Sequence, residues 1–243
     1  MPKNDEKMST NYSLNFDIRK RSKKNIKYIV YHYTGMKNDK MAIKRLTNFN
    51  SKVSCHYYID RKGSLTCMVP DLYIAWHAGK SKWKNDKLLN KTSIGIEISN
   101  PGHENGYESF KKKQLKCLIK ITKLLIKKYT IKKQNILGHS DISPNRKKDP
   151  GEKFPWQKLA NQNLCKWHNL SGNKIKNKRN LKINANEKKI FFKNLNKIGY
   201  SNIDRLKYKN NLVKAFQRKF RQNLINGKID KECLLISNNL VKL

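Results

Sequence analysis

The sequence predicts an α/β region that continues into a small helical segment. Three observations carry this reading. Short β-branched and aromatic runs recur up to about residue 139, one long amphipathic helix lies among them, and after about residue 186 the apolar residues repeat at helical spacing. A chain of 243 residues has room for one or two domains.

Residues 1–25 are polar and charged and are expected to form an arm with little structure of its own. Lys27-Tyr-Ile-Val-Tyr-His-Tyr33 reads as a buried strand, because β-branched and aromatic side chains suit a pleated, packed surface. Met41 to Phe49 suits a short helix. His56 to Asp60 and Ser64 to Val69 flank Gly63, which supplies the turn of a hairpin. Ser93 to Ser99 alternates, with isoleucines at 94, 96 and 98, as a strand does. Residues 109–129 form the strongest helix pattern. Ser109 can cap it, and Leu115, Leu118, Thr122, Leu125 and Tyr129 fall at steps of three and four. Ile136 to His139 reads as a short strand, after which Pro144, Pro150 and Pro155 break the chain into loops. The α/β domain is placed at 26–165. Residues 166–185 are basic and without period and read as a linker. Residues 186–243 carry helices at Glu187 to Ile198, with Ile190, Phe191, Leu195 and Ile198 on one face, at Asn211 to Phe220, and near Lys231 to Leu240. A unit this small needs tight helix packing.

Charge narrows the function classes. The net charge is +38, from 55 basic and 17 acidic residues. A polyanion partner is the ordinary reading of such an excess. The basic residues are 46 Lys and only 9 Arg, beside 30 Asn, whereas base and phosphate recognition favours Arg forks. The excess is also spread along the whole chain, so it reads as compositional drift rather than as a nucleic-acid site. No stretch of 18 apolar residues exists, which excludes a membrane span. Five cysteines without a CxxC pair do not fit a disulfide scaffold or a Cys-rich zinc site. The N-terminus, MPKNDEKMSTNYSLNF, lacks an apolar core and an early Cys, so cytoplasmic residence is expected, with the periplasm or cell envelope as the alternative.

The densest chemistry lies in Gly138-His-Ser-Asp-Ile-Ser-Pro-Asn-Arg-Lys-Lys-Asp-Pro-Gly151, a proline-punctuated loop directly after a strand. His139 and Asp149 are far enough apart for the loop to bring both to one point, and His32 ends the first strand. Two imidazoles and a carboxylate with one position open are a common catalytic zinc set. Each residue also has a plainer reading. His139 and His77 can be packed histidines, and Glu97 can be a solvated residue on the face opposite the isoleucines or a base aimed into a cleft.

Together, His32-Tyr-Thr34, Ser54-Cys-His-Tyr57, Ala75-Trp-His-Ala-Gly79, Thr92-Ser-Ile-Gly-Ile-Glu97, Gly138-His-Ser-Asp141 and Lys147-Lys-Asp-Pro-Gly151 resemble the zinc-dependent N-acetylmuramoyl-L-alanine amidases, the family that includes the peptidoglycan recognition proteins. The likeness covers about residues 26–160 and is strongest to the AmpD/AmiD branch, since Asp149 stands at the third ligand position. The resemblance implies a central mixed β-sheet flanked by helices. It implies one Zn2+ held by His32, His139 and Asp149, with Glu97 as general base and Lys147 stabilising the oxyanion. It also implies hydrolysis of the amide between N-acetylmuramic acid, or its 1,6-anhydro form, and L-alanine. Trp76, His77 and Arg146 would contact the peptidoglycan or muropeptide substrate. Cys55 stands where some members carry a Tyr near the zinc, so no catalytic tyrosine is expected. Ala215-Phe-Gln-Arg-Lys-Phe220 and Asn226-Gly-Lys-Ile-Asp230 resemble a three-helix peptidoglycan-binding domain. A non-catalytic peptidoglycan binder and a basic nucleic-acid binder are the competing expectations.

Overall fold

The computed structural model describes residues 9–201 and 208–243. The chain divides into two compact units, one of Met1–Gly79 and Leu88–Leu137, the other of Lys80–Lys87 and Gly138–Leu243. The strands are β1 (Ser9–Thr10), β2 (Phe16–Asp17), β3 (Tyr28–Tyr33), β4 (Tyr57–Ile59), β5 (Leu65–Cys67), β6 (Ile74–Ala75), β7 (Lys82–Trp83), β8 (Asp86–Lys87), β9 (Ser93–Ile98) and β10 (Ile136–Gly138). The helices are α1 (Asp39–Thr47), α2 (Lys112–Tyr129), α3 (His139–Ile142), α4 (Trp156–Asn161), α5 (Gly172–Lys176), α6 (Ala185–Ile198), α7 (Lys209–Phe220) and α8 (Lys231–Lys242).

The first unit is built on a mixed sheet of order β1-β5-β4-β9-β3-β10. β9 runs parallel to both β3 and β4, while β4 and β5 form the antiparallel hairpin the sequence predicts. Gly63 turns that hairpin at φ +86, and a Cβ there would meet the Lys113 backbone at 2.7 Å. Successive side chains on a strand alternate faces, and the two helices use this. Tyr58 points to the side where Ala42 and Leu46 of α1 pack with Cys55 and Met68. Tyr57 and Tyr31 point the other way, to α2: Tyr31 meets Thr122 Oγ1 at 2.8 Å, and Tyr57 and Tyr129 both donate to Asp71.

The order and kind of the central elements agree with the sequence, but several local expectations do not. Ser109 does not cap α2. The helix starts after Lys111, whose N–H donates to Gln114 Oε1 at 3.0 Å. Residues 1–8 of the expected arm lie outside the described residues, and the rest of it is structured. β1 pairs with β5 and β2 with β6, and Ser13, Asn15 and Arg21 are buried. Asn15 Nδ2 donates to the carbonyls of Asn48 and Val53, and Ser13 Oγ to that of Leu46, so polar side chains satisfy carbonyls in the last turn of α1 and in the loop after it.

In the second unit α6 packs on α8, with Phe191 edge-on to Phe216 of α7 at 5.2 Å and Asn194 donating to Ser237 and Asn238. Ile190, expected on the buried face of α6, is 46% exposed; Asn194 takes a buried place instead. The segment expected to be a linker holds α5 and is bonded to α8. Arg179 makes a two-pronged pair with Glu232, and the amides of Lys231 and Glu232 donate to Leu181 and Lys178 carbonyls. Arg179 finds its carboxylate 53 residues away, which composition alone does not reveal.

Candidate metal centre

Strand register places the first half of the site. His32 of β3 stands opposite Glu97 of β9, and Glu97 stands opposite Tyr58 of β4. Paired positions share a face, so His32, Glu97 and Tyr58 form a row across three adjacent strands. Glu97 lies on the face of the α1 cluster, half-buried, beside the predicted ligand His32.

His32 is held from behind. Its Nε2 lies 3.1 Å from Nδ1 of His77, and Nε2 of His77 lies 3.2 Å from Ser93 Oγ, which donates to the Leu89 carbonyl at 2.5 Å. With both rings neutral, one proton arrangement fits the far end of this chain. Ser93 spends its proton on Leu89, so His77 donates to Ser93 through Nε2–H and accepts from His32 Nε2–H through Nδ1. The ring atom of His32 that can hold a metal is then Nδ1. His77, expected at the substrate, is buried and packed against His32 and Ser93. Gly95 makes this fit, since a Cβ there would run into the His77 ring. Ser93 and Gly95, which complete this arrangement, read in the sequence as ordinary strand positions.

A second buried histidine supports the same strands. The Gly95 N–H donates to Nδ1 of His56 at 3.0 Å, and Nε2 lies 3.1 Å from the Tyr73 carbonyl and 2.9 Å from Arg21 Nη2. Protonating Nδ1 would set two N–H groups against each other. Burial and the neighbouring Arg21 guanidinium accordingly push the His56 pKa down to about 3.

The second half of the site is the loop after β10. His139 opens α3 and its Nδ1 lies 3.1 Å from Asp149 Oδ2. The Ser140 N–H donates to the Asp149 carbonyl at 2.8 Å, which closes the loop on itself. Lys147 is half-buried and its N–H donates to the Ser143 carbonyl, whereas Arg146 is exposed and gives one guanidinium N–H to the Lys80 carbonyl. Trp76 is half-buried, with Nε1 donating to Asp17.

Among the described residues, His32, His139 and Asp149 form a group whose ligand atoms all lie within 4.8 Å of one another, and all three are buried. Two imidazoles and one carboxylate, with no fourth protein donor in the group, match the donor set of a catalytic zinc with an open position. Cysteine takes no part; all five thiols are free, and burial pushes that of Cys55 up.

The C-terminal motif is used internally. Gln217 donates to the Lys228 carbonyl and accepts from the Gly227 N–H, and Arg221 pairs with Asp230, whose other oxygen caps α8 at the Cys233 N–H.

Residues 22–152 match the family model described as N-acetylmuramoyl-L-alanine amidase. The chain is 32% identical over 231 residues to the N-acetylmuramoyl-L-alanine amidase AmiD of Escherichia coli, covering 89% of this chain and 83% of that protein. It is 37% identical over 111 residues to the 1,6-anhydro-N-acetylmuramyl-L-alanine amidase AmpD of Haemophilus influenzae, covering 45% of this chain and 58% of that one. Among solved structures, the complex of Escherichia coli AmiD with anhydro-N-acetylmuramic acid-L-Ala-D-γ-Glu-L-Lys superposes with a TM-score of 0.79 at 32% identity, over 90% of this chain and 89% of that one. AmpDh3 of Pseudomonas aeruginosa gives 0.79 at 26% identity, over 100% and 97%. A family model spanning more than half the chain and a relative matched along most of its length give one answer: the chain belongs to the N-acetylmuramoyl-L-alanine amidase family.

Proposed function

We propose that this chain hydrolyses the amide bond between N-acetylmuramic acid, or its 1,6-anhydro form, and the L-alanine of a stem peptide, using one zinc ion held by His32, His139 and Asp149. The observation that carries the proposal is the buried His-His-Asp donor set in a chain of this family. The relatives solved with anhydromuramyl peptides favour muropeptides of that form as substrate.

When bound, zinc supplies Lewis-acid chemistry, polarising a carbonyl and making water nucleophilic at neutral pH. Glu97 takes the proton of the attacking water and returns it to the leaving amine nitrogen, a task its place beside His32 in the sheet suits. Lys147 offers an ammonium to the oxygen on which negative charge develops. Trp76 and Arg146 contact the substrate. His77, through Ser93, keeps His32 in one tautomer and one ring orientation.

The functional division of the chain is proposed as a catalytic part ending near residue 165 and a helical part at 186–243 that engages peptidoglycan. Cytoplasmic residence is proposed on cysteine chemistry: five free thiols, four of them buried, suit a reducing compartment, and cell fractionation tests it.

The deciding experiment incubates the purified protein with muropeptides, with and without a chelator, and follows free peptide by mass spectrometry. Product from the wild type that vanishes on metal removal is expected. No product from the metal-loaded wild type would sink the enzyme reading, and product that persists after full metal removal or in Glu97→Ala would sink the mechanism.

A further inference from the structure

The Lys of the C-terminal Ala-Phe-Gln-Arg-Lys-Phe motif does not face solvent, where a wall-binding role would put it. Lys219 is 5% exposed and its Nζ lies 2.8 Å from Oδ2 of Asp141, itself 1% exposed. The same ammonium sits 4.4 Å from the centre of the Trp156 ring. Tyr200, in the segment after α6, donates to the other oxygen, Oδ1, at 2.7 Å.

Asp141 is a structural hinge pin of the loop that carries His139 and Asp149, two of the three predicted metal ligands. It lies two residues after His139, and its Oδ2 accepts the Gly138 N–H at 2.9 Å, folding α3 back over the end of β10. Gly138 is pressed between Pro150 and Trp156; a Cβ there would lie 2.7 Å from Pro150 Cδ and 3.2 Å from Trp156 Cζ2. Gln222, just beyond α7, donates to the carbonyls of Glu152 and Phe154, both at 2.6 Å. The loop 138–154 is thus gripped at its first turn and at its exit by side chains from residues 200–222.

A buried ion pair is weak evidence for stability, because desolvation cancels much of the attraction. Here the carboxylate is saturated by an ammonium, a phenol and a backbone N–H, an arrangement that fixes geometry. We propose that Lys219 and Tyr200 are positioning residues of the His139–Asp149 loop: the C-terminal helical segment acts on the catalytic machinery by clamping Asp141, and does not serve only as a substrate-binding appendage. The zinc reading enters only through the second of two readouts.

The test uses the full chain and compares wild type with Lys219→Met and Tyr200→Phe. The first readout is amide hydrogen exchange of residues 138–149 in the metal-free protein, with α2 as the internal control. Lys219→Met is expected to raise exchange in the loop by about tenfold or more while α2 keeps its protection. The second readout is zinc affinity by chelator competition, expected to weaken by about 10- to 100-fold, as for other residues that orient a metal ligand from behind. Unchanged loop exchange, exchange raised equally in α2, or unchanged zinc affinity in a variant of a zinc-binding wild type would each overturn the clamp. A wild type that binds no zinc, with loop protection lost in Lys219→Met, would keep the clamp and sink the zinc reading. Should Lys219→Met fail to fold, Tyr200→Phe retains the ion pair, removes one hydrogen bond, and is expected to show the same local loss at smaller size.

Discussion

At the scale of single residues, the site is held by groups one layer behind those that do the chemistry. His77 is the clearest. It joins His32 to Ser93 and leans on Gly95, so its loss frees the His32 ring to rotate. His77→Ala is expected to weaken zinc binding by about 10- to 100-fold, measured by chelator competition. Gly95→Ala is expected to do the same by displacing the His77 ring; unchanged affinity in both would remove His77 from this role. Glu97→Ala should behave in the opposite way, keeping its zinc while turnover of muropeptide falls by about 10²- to 10⁴-fold. Loss of metal from Glu97→Ala would mean that Glu97 supports the ligands and does not move a proton. His32, His139 and Asp149, which the fold brings together, were legible in the sequence because their identities are chemically demanding. Ser93, Gly95 and Asp141 were not, because each matters through what it touches, and a strand serine or glycine carries no signal of its neighbours.

At the scale of elements, periodicity gave β3, β9, the β4–β5 hairpin and α2, since each has one apolar face to bury. The N-terminal segment was misread for a physical reason. In Tyr12-Ser-Leu-Asn15 the polar residues point inward, where they bond carbonyls of α1 and the loop after it, and the apolar ones are exposed. Pattern reading assigns such a stretch no core. Arg21 from this segment reaches the carbonyls of Asp71, Asn90 and Ser93 and lies 2.9 Å from Nε2 of His56. This arrangement makes the first unit acid-sensitive. Unfolded, His56 takes up a proton near pH 6.5; folded, it does so only near 3. Between those values the unfolded state binds more protons, so the contribution of His56 is complete above about pH 6.5 and is lost as pH falls, by at most about 1.4 kcal/mol per pH unit. Asp71, whose bonds to Lys128, Tyr129 and Tyr57 hold its pKa below the usual carboxylate range, adds to the loss in still more acid solution. Urea midpoints should therefore hold level from pH 7.5 to about 6.5 and fall from there to pH 4.5. A midpoint that stays level across that range would mean that His56 is not held neutral by its surroundings.

At the scale of the whole molecule, the charge is a burden on the folded state. With 55 basic and 17 acidic residues, pairing every carboxylate still leaves 38 cations in excess. The innermost pairs, Lys219 with Asp141 and Arg221 with Asp230, are buried at 2.8 Å and are screened little by salt. The remaining lysines lie mostly on the surface and repel one another at long range, which disfavours the compact state. Screening acts on this repulsion first, because it extends over distances at which surface charges feel the ionic atmosphere. Raising NaCl from about 20 to about 300 mM shrinks the Debye length from about 20 Å to about 6 Å. The melting temperature of the full chain is expected to rise across that range, and retention on anionic wall polymer or on DNA to fall across the same range. A melting temperature that drops with salt would mean that exposed ion pairs outweigh the repulsion. Retention that survives 300 mM NaCl on wall polymer but not on DNA would show a contact with the wall beyond charge, and would give the C-terminal helices a binding role alongside the clamp on Asp141.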